Sequence, residues 1–248
     1  MTRRRWIADE VSGNTAALVG EHAAHLARVL RAEIGQEFDI ATGDEVRRGT
    51  ITTISYDRIE FALGAKQHLR LRSAAPKITL ALAIFKFDRL EWAIEKCTEI
   101  GVGRIIPVIA RRTDAHLASA AAKRHERWQR IVRQAAEQSR RDAPPEIAAP
   151  VKLKDLEGDG VLAADTLRVV LDESLAGSEG DTRLGEILQS QSSAGEVALA
   201  VGPEGGWADG ELTRFYEAGW VAASLGETIL RAETAAIVAT ALAIEALR

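Results

Sequence analysis

The chain has 248 residues, 46% hydrophobic and 27% charged, with 32 Lys and Arg against 36 Asp and Glu for a formal net charge of −4. That composition fits a globular chain with one large or two modest cores, and the single cysteine, Cys97, excludes an intramolecular disulfide and a multi-cysteine zinc site. The longest apolar runs, at 78–85 and 235–244, are each broken by a threonine and fall short of a membrane span.

The basic start "MTRRRWIADEV" is followed by no apolar run, so no secretory signal is expected and a cytoplasmic location is the default. A helical patch, "EHAAHLARVLR" at 21–31, precedes short strand-like pieces: "EFDIAT", "GTITTIS", "RIEFAL" and "KQHLRLR". Closely spaced short strands with turn residues between them predict a small β-barrel over 1–75. Pro76 marks the expected boundary, and 76–248 forms the second expected domain.

From Lys77 the rhythm changes. "KITLALAIF" reads as a buried strand, and "DRLEWAIEKCTEIG" as a helix with Leu90, Ile94, Cys97 and Ile100 on one face. Asp88 is its expected cap, with Glu91 three residues on, and Gly101 its stop. "RIIPVIA" is the next strand, followed by a long charged helix over 120–139. Then come "LRVVLDE" (strand), "RLGEILQS" (helix), "EVALAVG" (strand), "ADGELTRFYEAG" (helix), "WVAASLG" (strand) and "AETAAIVATALAIEAL" (helix). Strands alternating with helices predict an α/β domain whose mostly parallel sheet is covered on both faces.

Two turns carry chemistry. "VGPEGGW" ends a buried strand on Gly202, Pro203, Glu204, Gly205 and Gly206. Glycines there let a backbone approach a ligand beyond the carboxyl ends of the strands. The Lys-Ser/Thr of a phosphate loop is absent, and Glu204 would repel a phosphate, so a cationic or hydrogen-bond-donating ligand fits better. An ordinary strand-to-helix turn is the plainer alternative. One unit later "SLGETILRAETAAI" places the apolar Ile229 and Leu230 in a connection that is usually polar, a possible wall for a flat ring. Arg231, Glu233 and Thr234 then crowd a helix start, where they serve either a ligand or as caps and an ion pair.

Charge is uneven. Residues 1–150 hold 25 Lys and Arg against 19 Asp and Glu, and residues 151–248 hold 7 against 17, so +6 precedes −10. That is compatible with a polyanionic partner on one face, or with charges scattered over solvated surfaces. Arg130, Arg133, Glu137 and Arg140 recur at helical spacing and form either a solvated, salt-bridged face or a phosphate-contacting one. His22, His25, Arg28 and Arg31 share another helical spacing. No Glu completes a metal-type HExxH pattern, so no metal is expected. No GxSxG elbow is present, and Cys97 falls on an apolar face as a buried thiol.

Five blocks in order, "HLARVLR", "KFDRLEWAIEKCTEIGVGRIIPV", "RWQRIVRQAAEQSRRDAPPEI", "VGPEGGW" and "LGETILRAETAA", resemble the RsmE family of 16S ribosomal RNA (uracil-N3)-methyltransferases, of the SPOUT class. The resemblance implies a PUA-like RNA-binding barrel before a SPOUT domain tied in a deep trefoil knot. It implies S-adenosylmethionine as cofactor. Gly202, Pro203, Glu204 and Gly205 would form one wall of its site, Leu225, Gly226, Ile229, Leu230 and Arg231 the other, and Leu171 and Asp172 the floor. Arg231 becomes the cation beside the base, and Glu233 or Glu204 the proton acceptor. Arg3, Arg4, Arg5, His25, Arg28 and Arg31 become RNA contacts. The implied partners are 16S rRNA in the small ribosomal subunit and a second copy of the chain, with no membrane. Two departures stand out: Glu227-Thr228 replaces the family's usual Pro-Arg, and Phe87 replaces the Gly that commonly follows Lys86. The first keeps a different RNA target open, and a non-catalytic RNA-binding assembly protein is the alternative from another class.

Overall fold

A computed structural model describes residues 5–43, 45–66, 77–156, 161–178, 182–191 and 195–247. It divides into two compact units, one of residues 1–74 with 133–144 and one of 75–132 with 145–248. The boundary expected at Pro76 and most of the strand expected at 66–72 lie outside the described residues.

In the first unit β1 (Arg5–Ile7), β2 (Glu10–Ser12), β3 (Thr15–Val19), β4 (Glu37–Ala41), β5 (Val46–Ile54) and β6 (Arg58–Lys66) form one sheet in the order β1-β4-β5-β6-β3-β2. All pairings are antiparallel except β1 with β4. The two outer strands are consecutive in the chain. The Ala8 N–H bonds to the Ala41 carbonyl and the Asp9 N–H to the Ala17 carbonyl, both at 2.9 Å, so one run of chain passes from one sheet edge to the other. The result is barrel-like and leaves little open edge. Period-two burial on β6 turns Ile59, Phe61 and Leu63 inward, against Trp6, Leu18 and Ile40. The expected helix at 21–31 is α1 (Glu21–Ala24) continuing into a π-helical turn, His25–Val29. Strands β1 to β3 were not expected, because Gly13-Asn14 and scattered charges break the short runs between them.

In the second unit β7 (Lys77–Ala83) leads through α2 (Phe87–Ile100) to β8 (Arg104–Ile109) and α3 (Ala115–Gln138). The two-residue strands β9 (Glu146–Ile147) and β10 (Val151–Lys152) and the short α4 (Leu153–Leu156) follow. Then come β11 (Leu167–Leu171), α5 (Leu184–Ser190), β12 (Glu196–Val201), α6 (Asp209–Glu217), β13 (Val221–Ala223) and α7 (Ala232–Ala246). The sheet runs β10-β8-β7-β12-β11-β13, with β9 also on β8, and every pairing is parallel.

Its two faces are built differently. Ile78, Leu80 and Leu82 of β7, with Val197, Leu199 and Val201 of β12, face the layer containing α2 and α7. Between them Ala81, Ala83, Ala198 and Ala200 face the other way. Small residues on that face leave room for Trp207, Phe215 and Trp220, whose rings meet edge to face at 4.9 and 5.0 Å. On α7 the buried positions Ala232, Ala236, Ala239 and Ala243 recur every three or four residues, with Ile244 beside the last, and the alanines let α2 come close.

Some capping expectations are corrected. Helix α2 starts after Lys86 without a side-chain cap, and Asp88 merely lies in its first turn. Glu91 is buried, with its carboxylate held by Arg127 at 2.8 Å and Arg124 at 3.3 Å. Gly101, at φ 127°, does end the helix. The helix expected over 120–139 starts earlier, at Ala115, and its last residues group with the first unit. There Arg133 pairs with Asp9 at 2.8 Å and donates to the Ile7 carbonyl, while the fully buried Glu137 accepts the Ile7 N–H at 3.3 Å. These residues are structural and not a solvated face.

Candidate active site

A cavity of about 230 Å³ opens beyond the carboxyl ends of β11, β12 and β13. Three consecutive parallel strands stop there, and ligands of open α/β sheets bind beyond such strand ends.

The glycine turn forms one wall. The Gly206 N–H closes it onto the Pro203 carbonyl at 2.8 Å. Gly206 has φ 69°, and a Cβ there would lie 1.6 Å from Glu173 Oε1, so only glycine fits. Arg112 reaches in after β8 and donates to the Gly205 carbonyl at 2.6 Å and the Trp207 carbonyl at 3.1 Å. Glu211 fixes the start of α6, accepting the Ala208 N–H at 2.9 Å and the Arg111 N–H at 2.7 Å. The turn is therefore held from two directions before any ligand arrives.

The second wall is the 224–231 turn. Ser224 Oγ accepts the Gly226 N–H at 3.1 Å. Ile229 is 72% exposed and Leu230 partly so, both along the cavity. On the floor, Asp172 accepts from the Ser174 N–H at 2.9 Å and from its hydroxyl at 2.7 Å, with the Tyr216 hydroxyl at 3.4 Å.

Of the residues expected around a cofactor, Leu171, Asp172, Gly202, Pro203, Glu204, Leu225, Ile229 and Leu230 line this one cavity, as does Arg231. Gly205 and Gly226 do not. Gly205 turns its carbonyl to Arg112, and Gly226, at φ 120°, lets the chain reverse behind the wall. Glu233 does not line the cavity either, although its neighbours do. It is 6% exposed, in the first turn of α7, and Arg231 is the N-terminal boundary residue of that helix with no side-chain cap.

Sequence reading missed Arg89. This first-turn residue of α2 lines the cavity, with a guanidinium 3.2 Å from Glu204 Oε1 and 3.8 Å from Glu233 Oε1. It is 115 residues from Glu204, so no local pattern could have paired them. Arg231, by contrast, has no side-chain partner among the described residues and is exposed at the cavity. No cluster of metal-binding side chains occurs among the described residues.

The expected RNA contacts divide. Arg3 and Arg4 lie outside the described residues. Arg5 has a side chain 12% exposed that bonds to the Arg140 carbonyl and to Asp142. His25 is half-buried, its ring tilted on Trp6 at 6.1 Å. Arg28 and Arg31 are exposed, and Arg28 sits 4.5 Å over the Tyr56 ring.

A parallel α/β unit with a glycine-walled cavity at its strand ends is the build of an RNA methyltransferase domain, and the family model of that description matches residues 72–244. Among relatives, the ribosomal RNA small subunit methyltransferase E of Synechocystis is 32% identical over 94% of this chain and 74% of its own. That of Mycobacterium tuberculosis is 34% identical over 92% and 85%. The Neisseria gonorrhoeae enzyme of the same name, solved bound to S-adenosyl methionine, superposes with a TM-score of 0.81 at 29% identity, covering 96% of this chain and 95% of that one. A Legionella pneumophila protein solved in complex with the bound cofactor SAM gives 0.79 at 30%, covering 98% and 95%. The chain belongs to the ribosomal RNA small subunit methyltransferase E family.

Proposed function

We propose that this protein binds S-adenosylmethionine in the cavity between its two late turns and methylates N3 of a uridine in the 16S rRNA of the small ribosomal subunit. The observation that carries the reading is the lining. The cavity joins two backbone-rich turns, an apolar edge at Leu225, Ile229 and Leu230, and three carboxylates, Asp172, Glu173 and Glu204, against two arginines, Arg89 and Arg231, with no lysine among the described residues that line it. That donor set suits a flat adenine and a cationic, phosphate-free ligand. When bound, S-adenosylmethionine supplies a sulfonium methyl, which uracil N3 takes up as the S–C bond breaks and the N3 proton departs, leaving neutral S-adenosylhomocysteine.

The chain's own residues position and stabilise. Arg231, a wall cation with no side-chain partner among the described residues, stabilises negative charge on uracil O2 or O4 as the proton leaves. Glu204, on the wall, is better set to accept that proton than Glu233, which stands behind Arg89. The barrel unit holds rRNA through Arg28 and Arg31, and the target base leaves its stack to enter the cavity. The active form is a cytoplasmic homodimer in which a second copy completes the site beside the exposed Ile229.

The test is to incubate the protein and S-adenosylmethionine with small subunits and with deproteinised rRNA, then map the new methyl group by mass spectrometry. N3 of one uridine is expected. Methylation elsewhere would favour a different RNA target, and failure to bind S-adenosylmethionine would favour a non-catalytic assembly protein. Arg231→Ala is expected to lower kcat by roughly 100-fold while leaving S-adenosylmethionine affinity within a few-fold. An equal loss in both would place Arg231 in the cofactor site instead.

A further inference from the structure

Arg89 enters the cavity from α2, an element that carries neither glycine turn. It faces one carboxylate on each: Glu204 in the middle of the first, and Glu233 just after the second. The charged groups of the cavity wall are Arg89 and Arg231 against Asp172, Glu173 and Glu204, a net charge of −1. Glu233 adds another negative charge directly behind. It is 6% exposed, its Oε1 is 3.8 Å from Arg89, and its Oε2 is buried with no hydrogen-bond partner among the described residues. A buried carboxylate so thinly satisfied acts on the cavity mainly through its charge and through the arginine that balances it.

We propose that the Arg89–Glu233 pair determines how strongly this cavity prefers a cationic ligand to its neutral counterpart, with Arg89 the specificity-determining side chain. The proposal rests on the reading of the cavity as an S-adenosylmethionine site. The reaction exchanges a sulfonium for a thioether, so cofactor and product share adenine, ribose and amino-acid parts and differ by one positive charge. Shape cannot separate them well, but wall charge can. A fully acidic wall would favour the cofactor strongly. Arg89 offsets two carboxylates and keeps that preference moderate, so that ligand charge is sensed without dominating binding.

The two partners should then act with opposite sign. Titration calorimetry on the full-length protein measures Kd for S-adenosylmethionine and for S-adenosylhomocysteine, and their ratio is the readout. Arg89→Gln uncovers negative charge and is expected to raise the preference for the cation by roughly fivefold, the effect of one partly screened unit charge on the cavity wall. Glu233→Gln is expected to lower it by a similar factor. The double variant should return close to the wild-type ratio, and Arg89→Lys should resemble wild type. If Arg89 only braces the turns, both ligands weaken together, the ratio stays constant in every variant, and the proposal is overturned. Should Arg89→Gln fail to fold, Glu233→Gln decides alone: an unchanged ratio rejects the idea. Failure of the wild-type protein to bind either ligand would instead reject the reading of the cavity.

Discussion

Asp9 shows how a single side chain can organise a unit. It accepts from the Val19 N–H at 2.9 Å, meets His22 Nδ1 at 3.3 Å and pairs with Arg133 at 2.8 Å. Burial pushes its carboxyl upward, but the His22 and Val19 hydrogen bonds and the Arg133 charge outweigh this and hold it below its usual value. A depressed carboxylate stabilises the fold above its unfolded value of about 3.9, and that contribution disappears as pH falls through the lower folded value. Asp9→Asn is therefore expected to cost about 1–2 kcal/mol at pH 7 in urea unfolding, with a smaller gap to wild type at an acid pH below the unfolded value. An equal gap at both pH values would contradict this. The sequence named His22 and gave no reason to expect a metal there, but its partner Asp9 lies thirteen residues away, in the bend between β1 and β2. Cys97 was easier to read. Its apolar helical face is buried, and burial pushes the thiol up to about 12 despite the hydrogen bond from Thr240.

Helix periodicity placed α2 well, because Leu90, Ile94 and Cys97 form a buried stripe whose spacing survives in any context. The short strands β1 to β3 carry no such signal: β1 and β3 owe their state to β4 and β6 far along the chain, and β2 to its hairpin with β3. The turns were recognised by their glycines, yet what holds them was not legible. Arg112 and Glu211 act on the glycine turn through backbone groups, and no side-chain pattern announces a backbone contact. Glu211 ties the start of α6 to the segment after β8 with one carboxylate, itself 8% exposed. Glu211→Ala removes both bonds and is expected to lower Tm by roughly 5 °C in calorimetry, with Glu211→Gln losing less. A Tm within one degree of wild type would show that the carboxylate is replaceable by water.

At the scale of the molecule, the change of rhythm at Lys77 falls where the parallel sheet begins, with β7 at Lys77–Ala83. What the linear view could not supply is that residues 133–144 group with the first unit. Arg133 and Glu137 satisfy Asp9 and the Ile7 N–H, so a fragment ending at residue 75 strips Asp9 of its arginine, leaving it only Val19 and His22, and leaves the Ile7 N–H without the Glu137 carboxylate. Such a fragment is expected to give poorly dispersed amide resonances, and dispersion matching the intact protein would contradict the assignment. The cavity residues were legible as two separate turns, 202–206 and 224–231. Their convergence follows from β12, β11 and β13 lying side by side in parallel. The direct test of that convergence as a cofactor site is a crystal structure of the protein grown with S-adenosylmethionine. The account predicts adenine beside Leu225, Ile229 and Leu230, and the sulfonium facing the carboxylates of the same cavity. Cofactor bound anywhere else, with this cavity filled only by water, would contradict it.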